Sequence, residues 1–263
     1  MADALVTVEA LTLHGGGREL VRDLNLSVYP GERWAVLGPN GAGKSTLLAT
    51  LAGVRKAARG VVRIGGRDVQ RSSVSELAQA RALMTDRWVD PFPASVLDTV
   101  LTARFRFGAA GRGVDDAPGR ECAERWLAAL DAAALARRDV RELSRGERQR
   151  VALATALVQD TPLVLLDEPT AHQDPRHQAV VLAALRSPRA DAPAMVASLH
   201  DMNAAVAFAT HALLLTGHGA WHVGPAQDVL TAERLSAVFS ARIESMPTAH
   251  GAVFFMANGD RHP

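Results

Sequence analysis

Gly38-Pro39-Asn40-Gly41-Ala42-Gly43-Lys44-Ser45 is the stretch on which the reading of this chain turns. It matches the pattern G-x-x-x-x-G-K-[ST] and stands between a short apolar run, Arg33 to Leu37, and a stretch of helical spacing, Ser45 to Val54. Each part has a physical task. Glycines let the loop curl so that its N–H groups converge into a nest for phosphate oxygens. A helix starting near Lys44, with Thr46 in its first turn, adds the positive end of its dipole. Lys44 has the reach for β- and γ-phosphates, and the Ser45 hydroxyl can ligate Mg²⁺. In a chain this poor in lysine, a chance match is on the order of 10⁻³. The stretch therefore reads as a nucleotide site.

Only two of the 29 basic side chains are lysines, Lys44 and Lys56. A flexible stem carrying a compact ammonium suits a narrow glycine loop, which a planar guanidinium fits poorly. Lys56 has no such context and reads as solvent-exposed.

Some 120 residues downstream, Leu163 to Leu166 forms a second apolar run, followed by Asp167-Glu168. A buried strand there delivers Asp167 at its carboxyl end, where it can hold the Mg²⁺ shell. Glu168 points the other way, towards a water beside the γ-phosphate, as a general base would.

Around these two motifs the chain alternates in character. Val6 to Leu13 and Leu24 to Tyr29 alternate apolar and polar residues, predicting half-buried antiparallel strands, with a further strand at Val61 to Ile64. From Ser95 to Val158 the spacing is helical, with helices around Val96 to Arg104, Glu121 to Leu135 and Gly146 to Val158, and a glycine-rich loop from Gly108 to Gly119. Strand and helix signals then alternate from Leu163 to Leu215, which implies a parallel sheet covered by helices. The expected organisation is one domain over residues 1–263. Segments 1–88 and 159–263 form an α/β core with an N-terminal β subdomain, and 89–158 an inserted helical subdomain.

Leu143-Ser144-Arg145-Gly146-Glu147-Arg148-Gln149 resembles the signature of ATP-binding-cassette (ABC) ATPases, usually LSGGQ or LSGGE, and the order of motifs along the whole chain is similar to theirs. The resemblance implies a P-loop NTPase of the ABC-ATPase fold, with a RecA-like parallel-sheet core, that hydrolyses ATP with Mg²⁺. It implies that Ser144, Arg145, Gly146 and Glu147 meet the γ-phosphate held by a second copy, with Arg145 replacing a glycine. Asp174 falls in the family's D-loop. His200, in Ser198-Leu199-His200-Asp201, falls in the switch region and would contact the γ-phosphate.

Two positions depart from the family. His14 stands where an aromatic usually stacks on adenine, and Asp86 stands where a glutamine usually reaches Mg²⁺. By the same resemblance, two cassettes pair head to tail and drive integral membrane permease subunits, with a periplasmic substrate-binding protein as an indirect partner. Pro91 to Val96 and Asp228 to Leu235 resemble the importer group for ferric siderophores, haem and cobalamin. The place expected is the cytoplasmic face of a bacterial inner membrane. A cassette for another substrate, import or export, and a catalytically impaired cassette are the alternatives.

Composition sets the outer limits. Apolar residues make up 48% and charged residues 22%, which excludes intrinsic disorder. A net charge of +1 gives no electrostatic support for a nucleic-acid partner. No window reaches the ~18 consecutive apolar residues of a membrane span. Met1 to Leu13 contains Asp3 and Glu9 and does not read as a signal peptide. Cys122, the only cysteine, excludes an internal disulfide and reads as a small buried helix residue. His218 and His222 flank a Gly-rich turn that predicts a hairpin, and neither they nor His172 and His177 read as a metal pair. The arginines at 137, 138, 141, 145, 148 and 150 read as partly a solvated face, with contact of some to nucleotide or the partner subunit as the alternative.

Overall fold

The computed structural model describes residues 3–86, 92–104, 117–186, 192–248 and 251–257. Val6–Gly15 (β1) and Arg18–Val28 (β2) form one long hairpin whose turn residues, Gly16 and Gly17, both have positive φ. Such a turn follows the right-handed twist of the flanking strands, and glycine adopts it without a Cβ penalty. Strand β2 starts six residues earlier than the alternation at Leu24 predicts, because three register shifts in the β1–β2 pair break the period of two.

Arg33–Leu37 (β3) runs into the Gly38 loop, and Lys44–Leu51 (α1) leaves it. Arg59–Ile64 (β4) and Arg67–Asp68 (β5) complete a four-stranded antiparallel sheet of order β2-β1-β4-β5. Val74–Ala80 (α2) follows, started by a capping box in which the Ser73 hydroxyl accepts the Glu76 amide and the Glu76 carboxylate accepts the Ser73 amide. It leads into Arg81–Met84 (β6).

Val96–Thr102 (α3), Ala117–Ala129 (α4) and Arg145–Leu157 (α5) pack on one another. Two expectations need correction here. Pro118 and Gly119 are helical rather than part of a loop, since proline fits a first helical turn whose N–H groups have no intrahelical partner. The remainder of that predicted loop, 108–116, lies outside the described residues. The helix predicted over Glu121 to Leu135 stops at Ala129: Asp131 takes a left-handed φ of 52°, and only a 3-10 turn, Ala133–Leu135, follows.

Leu163–Asp167 (β7), Pro175–Arg186 (α6), Ala194–Ser198 (β8), Met202–Phe208 (α7), His211–Leu215 (β9) and Trp221–Pro225 (β10) complete the second sheet, of order β10-β9-β3-β8-β7-β6. Every pairing in it is parallel except β9–β10, the hairpin predicted around His218. Ala226–Val229 (α8), Ala232–Phe239 (α9) and the hairpin of Ile243–Thr248 (β11) and Gly251–Met256 (β12) end the described chain.

The central strands are apolar throughout because both faces of the sheet are covered. Their side chains divide strictly by alternation. Leu163 and Leu165, with Trp34, Val36 and Leu213, pack against Leu47, Leu48 and Leu51 of α1 and the inner face of the antiparallel sheet. Val164 and Leu166, with Ala35, Leu37 and Leu214, pack against the buried residues of α3 to α7, Trp126 and Phe208 among them. Two cores therefore share one sheet. No helix of the described residues is long and apolar enough to cross a membrane.

Candidate nucleotide-binding and hydrolysis site

In the sheet order, β3, β8 and β7 are neighbours, so their carboxyl ends lie side by side. The register makes this concrete, for Ser198 pairs with Val36 on one flank and with Asp167 on the other. Ligand sites of open parallel sheets form at such ends. The Gly38 loop, the Asp167-Glu168 pair and the Ser198 to His200 segment, far apart in sequence, thus converge by pairing alone.

The loop between β3 and α1 has the backbone its glycines permit. Gly38, Gly41 and Gly43 carry φ of 150°, 75° and 105°. A Cβ at Gly38 would lie 2.5 Å from the Leu215 carbonyl oxygen, so that glycine is required by close approach of β9. Lys44 is 6% exposed and its Nζ donates to the Gly38 and Pro39 carbonyls at 2.8 and 3.3 Å. Burial lowers its pKa, and the negative charges of Glu168 and Asp167 partly offset that. A buried ammonium of this kind gains from an anion brought into the loop.

Lys44, Ser45 and Thr46, with Asn40, Gly41 and Gly43, line an open cleft of about 450 Å³, closed on other sides by Gly15, Gly16, Arg18, Leu20, Arg55, Glu168 and His200. Five of these, Gly15, Gly16, Arg18, Leu20 and Arg55, were not legible as site residues. Arg18 donates to the Gly41 carbonyl at 2.8 Å, and Arg55 to the His14 carbonyl at 2.8 Å, so each guanidinium ties the antiparallel sheet to the cleft rim. Gly38, Pro39 and Ala42 shape the loop from outside the cleft, with Ala42 buried.

At the end of β7, Asp167 is buried and its Oδ1 accepts the Ser198 hydroxyl at 2.6 Å. The same hydroxyl oxygen accepts the Glu168 N–H at 2.9 Å. Glu168 has a left-handed φ of 53°, a conformation that costs a non-glycine residue about 1–2 kcal/mol. Its peptide is over-determined, since the buried Gln149 side chain donates to its carbonyl at 2.7 Å and Ala171 N–H at 3.1 Å. The reward is direction: Glu168 Oε1 lies 2.5 Å from His200 Nε2 at the cleft edge. Neither Ser198 nor Gln149 was identifiable as a site residue, although both sit inside quoted motifs. A strand-terminal serine two residues before the histidine was the available signal.

Other sequence candidates lie elsewhere. His14 pairs with Glu19 beside the Gly16-Gly17 turn, next to the cleft-lining Gly15, and its ring is not part of the lining. Asp86 follows β6, is exposed, and does not line the cleft. Ser144, Arg145, Gly146 and Glu147 form the start of α5, and they too lie outside the lining of their own chain's cleft. Ser144 caps that helix. Its hydroxyl accepts the Glu147 N–H at 3.3 Å, while the Glu147 carboxylate accepts the Ser144 N–H at 2.8 Å and Arg138 at 3.0 Å. Gly146 is needed for approach, since a Cβ there would meet the His172 carbonyl at 2.9 Å. Asp174 lies before α6, outside the cleft. Among the described residues no group of three or more His, Cys, Asp or Glu side chains is placed to hold a metal ion.

A phosphate-cradling loop with a buried lysine and, beside it on a parallel sheet, an acidic pair bonded to a histidine define a P-loop nucleoside triphosphatase. The ABC transporter family profile matches residues 21–171, more than half the chain. The hemin import ATP-binding protein HmuV of Streptomyces coelicolor is 39% identical over 245 residues, 93% of this chain and 86% of that protein. HmuV of Pseudomonas entomophila is 41% identical over 249 residues, 92% of this chain and 95% of that protein. Among solved structures, a chain described as a metal-chelate type ABC transporter in an inward-facing conformation superposes with a TM-score of 0.79 at 28% identity, covering 98% of both chains. This chain belongs to the ABC transporter family, as an ATP-binding subunit with ATPase activity.

Proposed function

We propose that the chain powers a bacterial importer of haem or a related iron complex by hydrolysing ATP in a pair of identical cassettes. The observation that carries hydrolysis is the Glu168–His200 contact of 2.5 Å at the rim of the Lys44 cleft. The names of the relatives, matched over nearly their whole length, support the cargo.

In this reading Lys44 and the loop amides neutralise the β- and γ-phosphates, and the Glu168 carboxylate takes a proton from the attacking water as the bond to ADP breaks. His200 holds that carboxylate and the γ-phosphate side of the cleft. The donor set suits Mg²⁺: a buried carboxylate, Asp167, oriented by Ser198, and the Ser45 hydroxyl are hard oxygen ligands, and this cation usually takes one or two protein groups plus substrate phosphates. Bound there, Mg²⁺ would neutralise charge growing on the phosphate oxygens. Asp86, exposed beyond β6, is assigned a contact to the ion by resemblance alone. ATPase unchanged in both Asp86→Ala and Asp86→Gln would remove that assignment. His14 is assigned to the adenine side.

Because Ser144 to Glu147 do not line their own cleft, they serve the cleft of a second copy, with Asp174 between the two sites. Residues 89–158, carrying that signature, act as the subdomain that moves against the core formed by 1–88 and 159–263. Permease subunits supply the membrane path on the cytoplasmic face, and a periplasmic protein delivers cargo to them; no nucleic acid takes part.

Two measurements test the reading. ATP turnover by the full chain is expected to disappear in Lys44→Ala and in Glu168→Gln, the latter still binding ATP; turnover surviving in Glu168→Gln rules out that base. Deleting the gene is expected to stop growth on haem as sole iron source and to spare growth on ferric salts. Unimpaired growth on haem would overturn the cargo.

A further inference from the structure

Asp174 does not line the cleft of its own chain, and its half-exposed carboxylate bonds chiefly to His177, with a lesser contact to the Arg176 backbone. Oδ1 accepts the His177 backbone N–H at 2.8 Å, capping α6, and Oδ2 lies 2.9 Å from His177 Nδ1. These two contacts, the backbone one first, hold Asp174 below the usual carboxylate range. The opposite edge of the same ring, Nε2, lies 3.6 Å from Asp131 Oδ2, and Arg176 Nη2 is 3.0 Å from that same oxygen.

Asp131 belongs to the helical layer. It follows α4 in a left-handed conformation and begins the turn towards the 3-10 segment that precedes Ser144. The His177 side chain is 21% exposed, so its ring is largely covered between the two carboxylates, with Arg176 Nη1 also 3.5 Å from its Nε2. A second contact joins the same two parts, for Gly146 packs against the His172 carbonyl closely enough to exclude a methyl group.

We propose that His177 is a positioning residue: its imidazole bridges Asp174 and Asp131, and so fixes the D-loop relative to the helical layer that carries the signature. Arg176 completes the clasp from the Asp131 side. This rests on the reading of Asp174 as a residue of a site shared between two copies. A part that presents Asp174 and Ser144 to the partner's nucleotide must hold the two at a set spacing, and loss of the clasp changes turnover without changing how the chain's own loop binds ATP.

The two ring nitrogens can be tested separately. His177→Asn keeps a donor near the Nδ1 position facing Asp174, whereas His177→Gln places its amide nearer the Nε2 position facing Asp131. Steady-state ATP hydrolysis by the full chain is expected to show kcat about tenfold lower in His177→Ala, with KM for ATP within about twofold. His177→Asn should recover most of that loss and His177→Gln little. Asp131→Asn should give a smaller fall in kcat, about threefold, and again leave KM unmoved. Thermal melting of each variant separates positioning from unfolding.

The clasp is overturned if His177→Ala turns over at the native rate, if His177→Gln rescues as well as His177→Asn, or if kcat across the variants follows melting temperature alone. Asp174→Ala distinguishes the two levels: full activity there removes the shared-site reading itself, while a slow Asp174→Ala beside a normal His177→Ala removes only the clasp.

Discussion

Ser198 is the residue on which the acidic pair depends. One hydroxyl donates to Asp167 and accepts the amide of Glu168, so removing it takes the partner from a buried carboxylate oxygen and from a part-buried N–H. Ser198→Ala is expected to cost about 1–3 kcal/mol in denaturant unfolding. It should also slow ATP turnover, since Glu168 loses one of the bonds that hold its left-handed backbone. Unchanged stability and rate would show that Asp167 and Glu168 are held by other means. Lys44 makes a complementary case. It is buried among loop carbonyls, where three rotatable N–H donors on a thin stem fit and a planar fork does not. Lys44→Arg, although it keeps the charge, is expected to weaken ATP binding at least about tenfold by calorimetry.

The start of α5 is the element with most at stake, because one helix end carries a capping box, an ion pair and a close backbone approach. Bonds from Ser144 first, then the charge and bond of Arg138, lower the Glu147 pKa. A carboxyl depressed in the folded chain adds stability above its unfolded pKa, and that addition is lost as pH falls through the lower, folded value. Glu147→Gln is therefore expected to melt below the native chain at neutral pH, and the gap should close as the pH drops through the acid range. A gap that is constant with pH would mean that the Glu147 charge contributes nothing. Gly146→Ala adds a methyl group 2.9 Å from the His172 carbonyl and is expected to shift α5 against that loop.

At the scale of the whole molecule, one cleft holds Lys44, Glu168 and His200, and Ser144 and Asp174 are not among its lining residues. In the proposed reading, such a chain completes its site only with a second copy. Glu168→Gln with ATP and Mg²⁺ is expected to sediment as a dimer, and the dimer should dissociate in Ser144→Arg. A monomer at saturating ATP would overturn the shared site. Legibility also follows scale. The Gly38 loop, α1 and the strands β3, β7 and β8 were readable because their rules are local: glycine freedom, helix spacing and continuous apolar runs. Short elements were not. Residues 226–256 form two short helices and a two-stranded hairpin, none with a period long enough to stand out, and α4 ends before a left-handed Asp131 that no propensity marks.

The chain by itself determined which side chains are proposed for the chemistry, since a lysine in a glycine loop and an acidic pair after an apolar strand point to that role through their residue types and order. Only the tertiary structure decided how they are held. Strand pairing across more than 150 residues places Ser198 beside Val36 as well as Asp167, and helix packing sets Gln149 on the Glu168 carbonyl and His177 near Asp131. Those contacts depend on sheet order and helix packing, and residues far apart in sequence acquire them only when the two cores close on their shared sheet.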